Sequence, residues 1–467
     1  MTLICAVLAG NASQFIFPSP EAEWPRFPEE TKLVAHAPDA ELRDMLSQID
    51  PARVKQIITK LVSFGTRHTL STQDDPNRGI GAARDWIASE MRTFAKKSSG
   101  KMTVTVPGYT QQVASRITFP VQISNVVARL EGSVDPSRVY VISGHYDSMN
   151  SDIINHEDDA PGANDDASGV AVVMELARIM SDKKPHATIL FAAVAGEEQG
   201  LYGSAFMART LKSEGVNVEA MLNNDIVGSS TGAKDQKEPY VIRMFAQGLP
   251  TTLSSAQTQQ ILRIGGENDS PTRQLARFIQ DVATNDATGM NVQIVYRLDR
   301  YGRGGDHSSF LQQGYPAVRF TEPNENFAHQ HQTVRKQGNL QYGDLPEFCD
   351  FNFISRVAKV NMAALWSLAN SPGLVPIVKL NTAGMINDSN LSWNAVKSSD
   401  VAGYEIVWRQ TLSSYWTNVK AVGNALSTTM SISPDNVIFG VRAVGKNGYR
   451  GPVTPAGHPS YPYFKQG

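Results

Sequence analysis

The chain has 467 residues, too many for one ordinary domain and about right for two or three. Lys and Arg total 43 against 45 Asp and Glu, and a net charge of −2 argues against a nucleic-acid binder, which carries a basic face. Hydrophobic residues make up 41%, enough for a packed core, and no apolar run approaches the ~20 residues that span a bilayer. In chain order, residues 2–10 form a short apolar stretch followed by the small residues Asn11-Ala12-Ser13. That is the size of a signal-peptide core, although no Lys or Arg precedes it, and a buried terminal strand fits the same pattern. Residues 1–18 are therefore read as a possible signal remnant and the protein as secreted or extracytoplasmic. Sequons at Asn11, Asn268, Asn387 and Asn390 permit glycosylation. After a Pro-rich lead-in, residues 51–61 and 79–97 carry apolar side chains at helical spacing. Strands at 138–143, 188–195, 240–245, 292–296 and 317–321 then alternate with helices at 169–180, 201–212, 274–283 and 351–371. Near-continuous apolar strands separated by helices predict an α/β fold, a mostly parallel sheet sandwiched by helices, over residues 33–371.

Around 370–373 the texture changes to short β runs at 375–380, 391–393, 404–409 and 437–444, punctuated by turn residues. Residues 373–467 thus read as a small β-sandwich, and the patterns Leu391-Ser392-Trp393, Gly403-Tyr404-Glu405-Ile406 and Val441-Arg442-Ala443-Val444 resemble a fibronectin type III domain. The switch itself reads as an inter-domain linker, with the sandwich folding apart from any site in the first domain.

Ligands of parallel α/β sheets gather beyond the carboxyl ends of the strands. Those loops here read Gly144-His145-Tyr146-Asp147-Ser148, Pro161-Gly162-Ala163-Asn164-Asp165-Asp166-Ala167-Ser168-Gly169, Gly196-Glu197-Glu198-Gln199-Gly200, Asn223-Asn224-Asp225 and His329-Gln330-His331-Gln332-Thr333. Each alone is bland, since an Asp at a helix start is usually a cap. Together they crowd carboxylates whose repulsion demands a cation, and imidazole with carboxylate suits zinc. The two cysteines, Cys5 and Cys349, cannot alone ligate zinc or build a disulfide framework.

The blocks GHYDS, PGANDDASG, GEEQGLYGS and NND, in this order, resemble the co-catalytic zinc exopeptidases of the M28 class, which include bacterial leucyl-type aminopeptidases. The resemblance covers about residues 33–371. It implies a phosphorylase/hydrolase-like zinc exopeptidase fold, peptide substrates and two Zn²⁺ per chain. By position, His145 and Asp225 would bind one ion, Glu198 and His331 the other, and Asp165 would bridge them. Asp165 is preferred to Asp166 because the family's bridging residue comes first in this block; His331 is preferred to His329 for the Gln332-Thr333 that follows it. Glu197 matches the general base and Asp147 the carboxylate that orients His145. Gln330 stands where some relatives have a Tyr that polarises the substrate carbonyl. An aminopeptidase is the activity implied first. A carboxypeptidase, for which Arg303 would clamp the terminal carboxylate, a glutaminyl cyclase-like enzyme and a non-catalytic zinc-binding protein are the alternatives.

Three other motifs are set aside. Gly228-Ser229-Ser230-Thr231-Gly232 fits the serine-hydrolase string, but a polar, proline-stopped stretch follows where a nucleophile elbow needs an apolar helix. His156-Glu157 lacks the second His of a zincin. Asp306-His307-Ser308 has triad residue types, but triads meet in space rather than in sequence.

Overall fold

The computed structural model describes residues 25–383 and 386–459. The possible signal remnant at 1–18 lies outside them. An eight-stranded sheet forms the centre of the first domain. Its strands are β1 (Met102–Thr105), β2 (Val126–Leu130), β3 (Asp135–His145), β4 (Ala187–Val194), β5 (Asn217–Asn224), β6 (Val241–Ala246), β7 (Asn291–Val295) and β8 (Ala317–Thr321). Their order is β1-β2-β4-β3-β5-β8-β6-β7. The central run β4-β3-β5-β8 is parallel throughout, as is the β6-β7 pair. Antiparallel pairs join β1 to β2, β2 to β4 and β8 to β6.

Nine α-helices lie among the described residues: α1 (Ala40–Ser47), α2 (Pro51–Val62), α3 (Gly79–Ala95), α4 (Ala167–Met180), α5 (Tyr202–Ser213), α6 (Ser255–Arg263), α7 (Pro271–Ala283), α8 (His307–Gln312) and α9 (Phe351–Asn370). The two-residue period of a strand sorts side chains onto opposite faces. Val139 and Val141 of β3 join a core with Met207 of α5 and Phe310 of α8, whereas Tyr140 and Ile142 join the core built with α2, α4 and α9. Helices thus cover both faces, which is why the central strands read as unbroken apolar runs. No helix among the described residues is long and apolar enough to cross a membrane.

Beyond α9 the chain forms two antiparallel sheets. Lys379–Asn381, Ser389–Ser392 and Ser427–Met430 make a three-stranded one. Val401–Gln410, Asn418–Gly423, Val437–Gly445 and Thr454–Pro455 make a four-stranded one. Trp393, Tyr404, Ile406, Trp408, Phe439 and Val441 fill the core of this part.

The segment expected to be a linker is not loose. Ser371, Pro372 and Gly373 are buried, and Arg138 Nη2 of β3 donates to the Ser371 carbonyl at 2.7 Å. Arg409 of the sandwich reaches both oxygens of Asp269 at 2.9 and 2.8 Å, and Trp416 Nε1 donates to Gln274 Oε1 of α7 at 2.9 Å. Tyr449 is part of the first domain's core and donates to Asp39 Oδ2 at 2.7 Å. From the other end of the chain, Phe27 packs edge-on against Trp408 at 5.6 Å, and the Leu33 N–H donates to the Thr417 carbonyl at 2.8 Å. The boundary near residue 33 therefore cuts through a contact, because the amino-terminal segment lies against the sandwich.

Candidate metal centre

Four parallel strands point their carboxyl ends at one spot. β3 ends on His145, β4 leads into Glu197-Glu198, β5 into Asp225, and β8 into the loop bearing His331. Where β3 closes on the start of α4, a Cβ on Gly144 would lie 2.5 Å from the Gly169 carbonyl carbon, so only glycine fits there. Asp166 caps α4, accepting the Gly169 N–H at 3.0 Å, and its other oxygen accepts the His145 N–H at 2.9 Å. With both oxygens engaged by backbone, Asp166 fixes the loop and leaves the cluster to Asp165. The peptide bond between the two is cis.

His145 Nε2 lies 3.0 Å from Asp165 Oδ1 and 3.9 Å from Asp225 Oδ1. His331 Nε2 lies 2.8 Å from Asp165 Oδ2 and 3.1 Å from Glu198 Oε1. Two groups result, His145-Asp165-Asp225 and Asp165-Glu198-His331, each with its ligand atoms within 4.8 Å of one another and with Asp165 common to both. His329 is in neither: its ring stacks on Phe348 at 3.6 Å and 8°. Glu197 is also in neither and lines the same cleft half-buried. Gln330 donates from Nε2 to Asp165 Oδ2 at 3.1 Å.

These residues fit a metal ion. His145 Nε2 and Glu198 Oε1 are buried without a hydrogen-bond partner, which is costly unless something else meets them. Burial, with Asp225 and Glu198 adding to it and His145 opposing, pushes the Glu197 carboxyl well above the usual range. Burial likewise pushes Glu198 and Asp225 up. Divalent cations among these groups would remove that repulsion.

The surrounding residues hold the loops in place. Asp147 accepts the Glu197 and Glu198 N–H groups at 3.2 and 3.1 Å, and its backbone carbonyl is 3.1 Å from His145 Nδ1. Although burial pushes the Asp147 carboxyl up, His145 and these N–H groups bring it below its usual value. Three further supports were not singled out from the sequence. Buried Arg67 donates to the carbonyls of Tyr146, Pro161, Gly162 and Leu61 at 2.7, 2.6, 2.9 and 3.3 Å. Asp344 accepts the N–H groups of Asn164 and Asp165 at 2.8 and 2.7 Å. Arg319, buried in β8, spans Asp225 and Asp299 at 2.8 Å each. Of the three, only Arg319 announces itself in the sequence, as a charge inside an apolar strand. Leu201, Ile226 and His331, all non-glycine, have φ of 61°, 58° and 52°, a clustering of strained backbone found at functional sites.

A profile of peptidase family M28 matches residues 125–337, the stretch that runs from β2 past His331. A probable zinc metalloprotease of Pyrenophora tritici-repentis is 57% identical over 448 residues, covering 96% of this chain and 92% of its own. Another of that description, from Pyricularia oryzae, is 58% identical over 441 residues, covering 93% and 88%. The chain belongs to peptidase family M28. Among solved structures, the LapA aminopeptidase of Legionella pneumophila superposes with a TM-score of 0.50 at 18% identity, over 74% of this chain and 78% of its own, a likeness of fold.

In this M28 peptidase the serine-hydrolase string is an ordinary loop, with Ser230 Oγ donating to Asp350 Oδ2 at 2.7 Å. His307 is structural: it is buried, with Nε2 2.9 Å from the Leu298 carbonyl. Burial pulls its imidazole down to about 4, with Arg319 assisting and Asp299 opposing. The folded state therefore holds this ring neutral where the unfolded chain, with an ordinary value near 6.5, would protonate it. The resulting stability is full above pH ~6.5 and is lost as pH falls towards 4, up to about 3 kcal/mol. A His307→Gln variant should show a smaller loss of melting temperature between pH 7 and 4.5 than the parent; an equal loss would refute the assignment.

Proposed function

We propose that this chain is a di-zinc aminopeptidase that releases residues from free amino termini. The observation that carries the reading is Asp165, whose two oxygens face two different imidazoles, His145 at 3.0 Å and His331 at 2.8 Å. His145 and Asp225 would hold one ion, Glu198 and His331 the other, and Asp165 would serve both. The relatives' description as probable zinc metalloproteases supports zinc, as does a donor set of imidazole and carboxylate without thiolate. Bound zinc supplies Lewis acidity, polarising the scissile carbonyl and making water a stronger acid.

The chain's own groups move the proton. Glu197 sits beside the cluster without belonging to either group of ligands, so its carboxylate is free to take a proton from the attacking water and deliver it to the departing amine. Asp147 orients the His145 ring and, through the N–H groups of residues 197 and 198, the Glu pair as well. Adjacent residues leaving a strand end point differently, which lets Glu198 ligate while Glu197 works.

Residues 373–467 are read as a fibronectin type III-like module, supported by the sheets of three and four strands around one core. Secretion is proposed from the apolar stretch at 2–10. Metal analysis of the purified protein should give about two zinc per chain. Leucyl-anilide should be cleaved and its N-acetyl counterpart left intact. Cleavage that tolerates N-acetylation but stops on carboxy-terminal amidation would make the enzyme a carboxypeptidase instead.

A further inference from the structure

The metal cluster forms one wall of a cleft of about 460 Å³ whose lining includes four arginines, Arg116, Arg300, Arg303 and Arg319. Two of them are already balanced. Arg319 spans Asp225 and Asp299, and Arg300 spans Asp299 and Glu325. The other two, Arg116 and Arg303, are exposed and make no ion pair among the described residues. Arg116 is tethered beside the site, since its Nη1 donates to the backbone carbonyl of Glu198 at 2.7 Å. A guanidinium has five N–H donors, so most of this one remains unused. Arg303 lies between Gly302 and Gly304 and over the Phe327 ring at 5.9 Å. A Cβ on either glycine would meet nothing within 4 Å, so the space around Arg303 is open to a ligand.

Charge counting gives these two their meaning. The cleft's own acids are Asp165, Glu197, Glu198 and Asp225. Two divalent ions would offset those four carboxylates, leaving Arg116 and Arg303 as an excess of positive charge at the mouth. A cleft with one sign of uncompensated charge concentrates ligands of the other sign, and guanidinium with carboxylate is a strong, directional pairing.

We propose that Arg116 and Arg303 read a carboxylate on the substrate, so that the preferred substrates are peptides carrying one close to the scissile bond. The carboxylate has two possible sources, an acidic side chain at the amino-terminal residue or the free carboxy terminus of a very short peptide. The inference rests on the exopeptidase reading and names its substrate class.

Two matched pairs test it, glutamyl- against leucyl-anilide and leucyl-glycine against leucyl-glycinamide, each measured as kcat/KM at low and high salt. At least one pair should favour the carboxylate about tenfold at low salt, as a charge-assisted hydrogen bond gives. Salt should shrink that ratio, because the arginines are exposed. The pair that responds identifies the source. Arg303→Gln should move the ratio towards one, Arg303→Lys should keep part of it, and Arg116→Gln with Arg303→Gln should abolish it, with zinc content measured on each variant. Ratios at or below one in the parent, or a ratio unchanged in the double variant, would overturn the proposal while turnover of the neutral substrates left the exopeptidase reading standing. If no substrate of either pair is cleaved, both readings fall.

Discussion

A Glu197→Gln enzyme is expected to keep its fold and its zinc and to lose about a hundredfold to ten-thousandfold in kcat, the usual contribution of a positioned general base. The amide keeps the shape and the backbone N–H that donates to Asp147 Oδ1 at 3.2 Å, but it cannot accept a proton. Because Glu197 lies outside both groups of ligand atoms, its replacement removes no ligand. It also removes one of several crowded carboxylates, so the melting temperature should hold or rise. Steady-state turnover of leucyl-anilide and zinc content on the same preparation decide the matter. Near-normal turnover at full zinc occupancy would show that the base lies elsewhere.

A chain ending at Ser371 is expected to lose zinc and solubility together, not to survive as a small peptidase. Asp269 is 1% exposed and is met by Arg277 at 2.8 Å from its own domain and by Arg409 at 2.8 and 2.9 Å from the sandwich. Removing a partner from a buried ion pair costs up to about 3–5 kcal/mol, of which Arg277 and newly admitted water would recover part. The cut also removes Tyr449 from the first domain's core and Trp416 from Gln274, and it strips the cover from residues 27–33. Against a typical total of about 5–15 kcal/mol, losses of that size leave little margin. Thermal melts and zinc analysis of the truncated chain, alongside Arg409→Ala in the full chain, test this. A truncated protein melting within a few degrees of the parent would mean that the two parts merely touch.

The two cases also mark where sequence reading succeeds and where it stops. β3, β4 and β8 are legible because helices cover both of their faces, leaving a continuous apolar run in the sequence. β5 hides because its sequence, Asn217-Val218-Glu219-Ala220-Met221-Leu222-Asn223-Asn224, begins and ends polar. Its last two side chains are buried all the same: Asn223 accepts from Ser143 Oγ at 2.9 Å, and Asn224 accepts from Asn361 Nδ2 of α9 at 2.8 Å. Those partners lie 80 and 137 residues away, beyond any local pattern. The same holds for the sandwich's attachment, since Arg409 and Asp269 are 140 residues apart. At the site, ordered motif blocks carry His145, Asp165, Glu198 and Asp225 into one place, whereas His331 is told from His329 in space by its approach to Asp165 and Glu198, with His329 stacked away on Phe348.

The single guanidinium of Arg67, clasping four carbonyls, has a consequence for the life of the protein outside catalysis. Together with Asp344, it ties the ligand-bearing loops down with bonds made wholly by protein. Loops held that way are expected to keep their course without an ion, so that metal would relieve the crowding of Glu197, Glu198 and Asp225 and not shape the loops, unlike in small domains that take shape only around their metal. Metal scarcity would silence such an enzyme without dismantling it, and activity would return with supply and not with new synthesis.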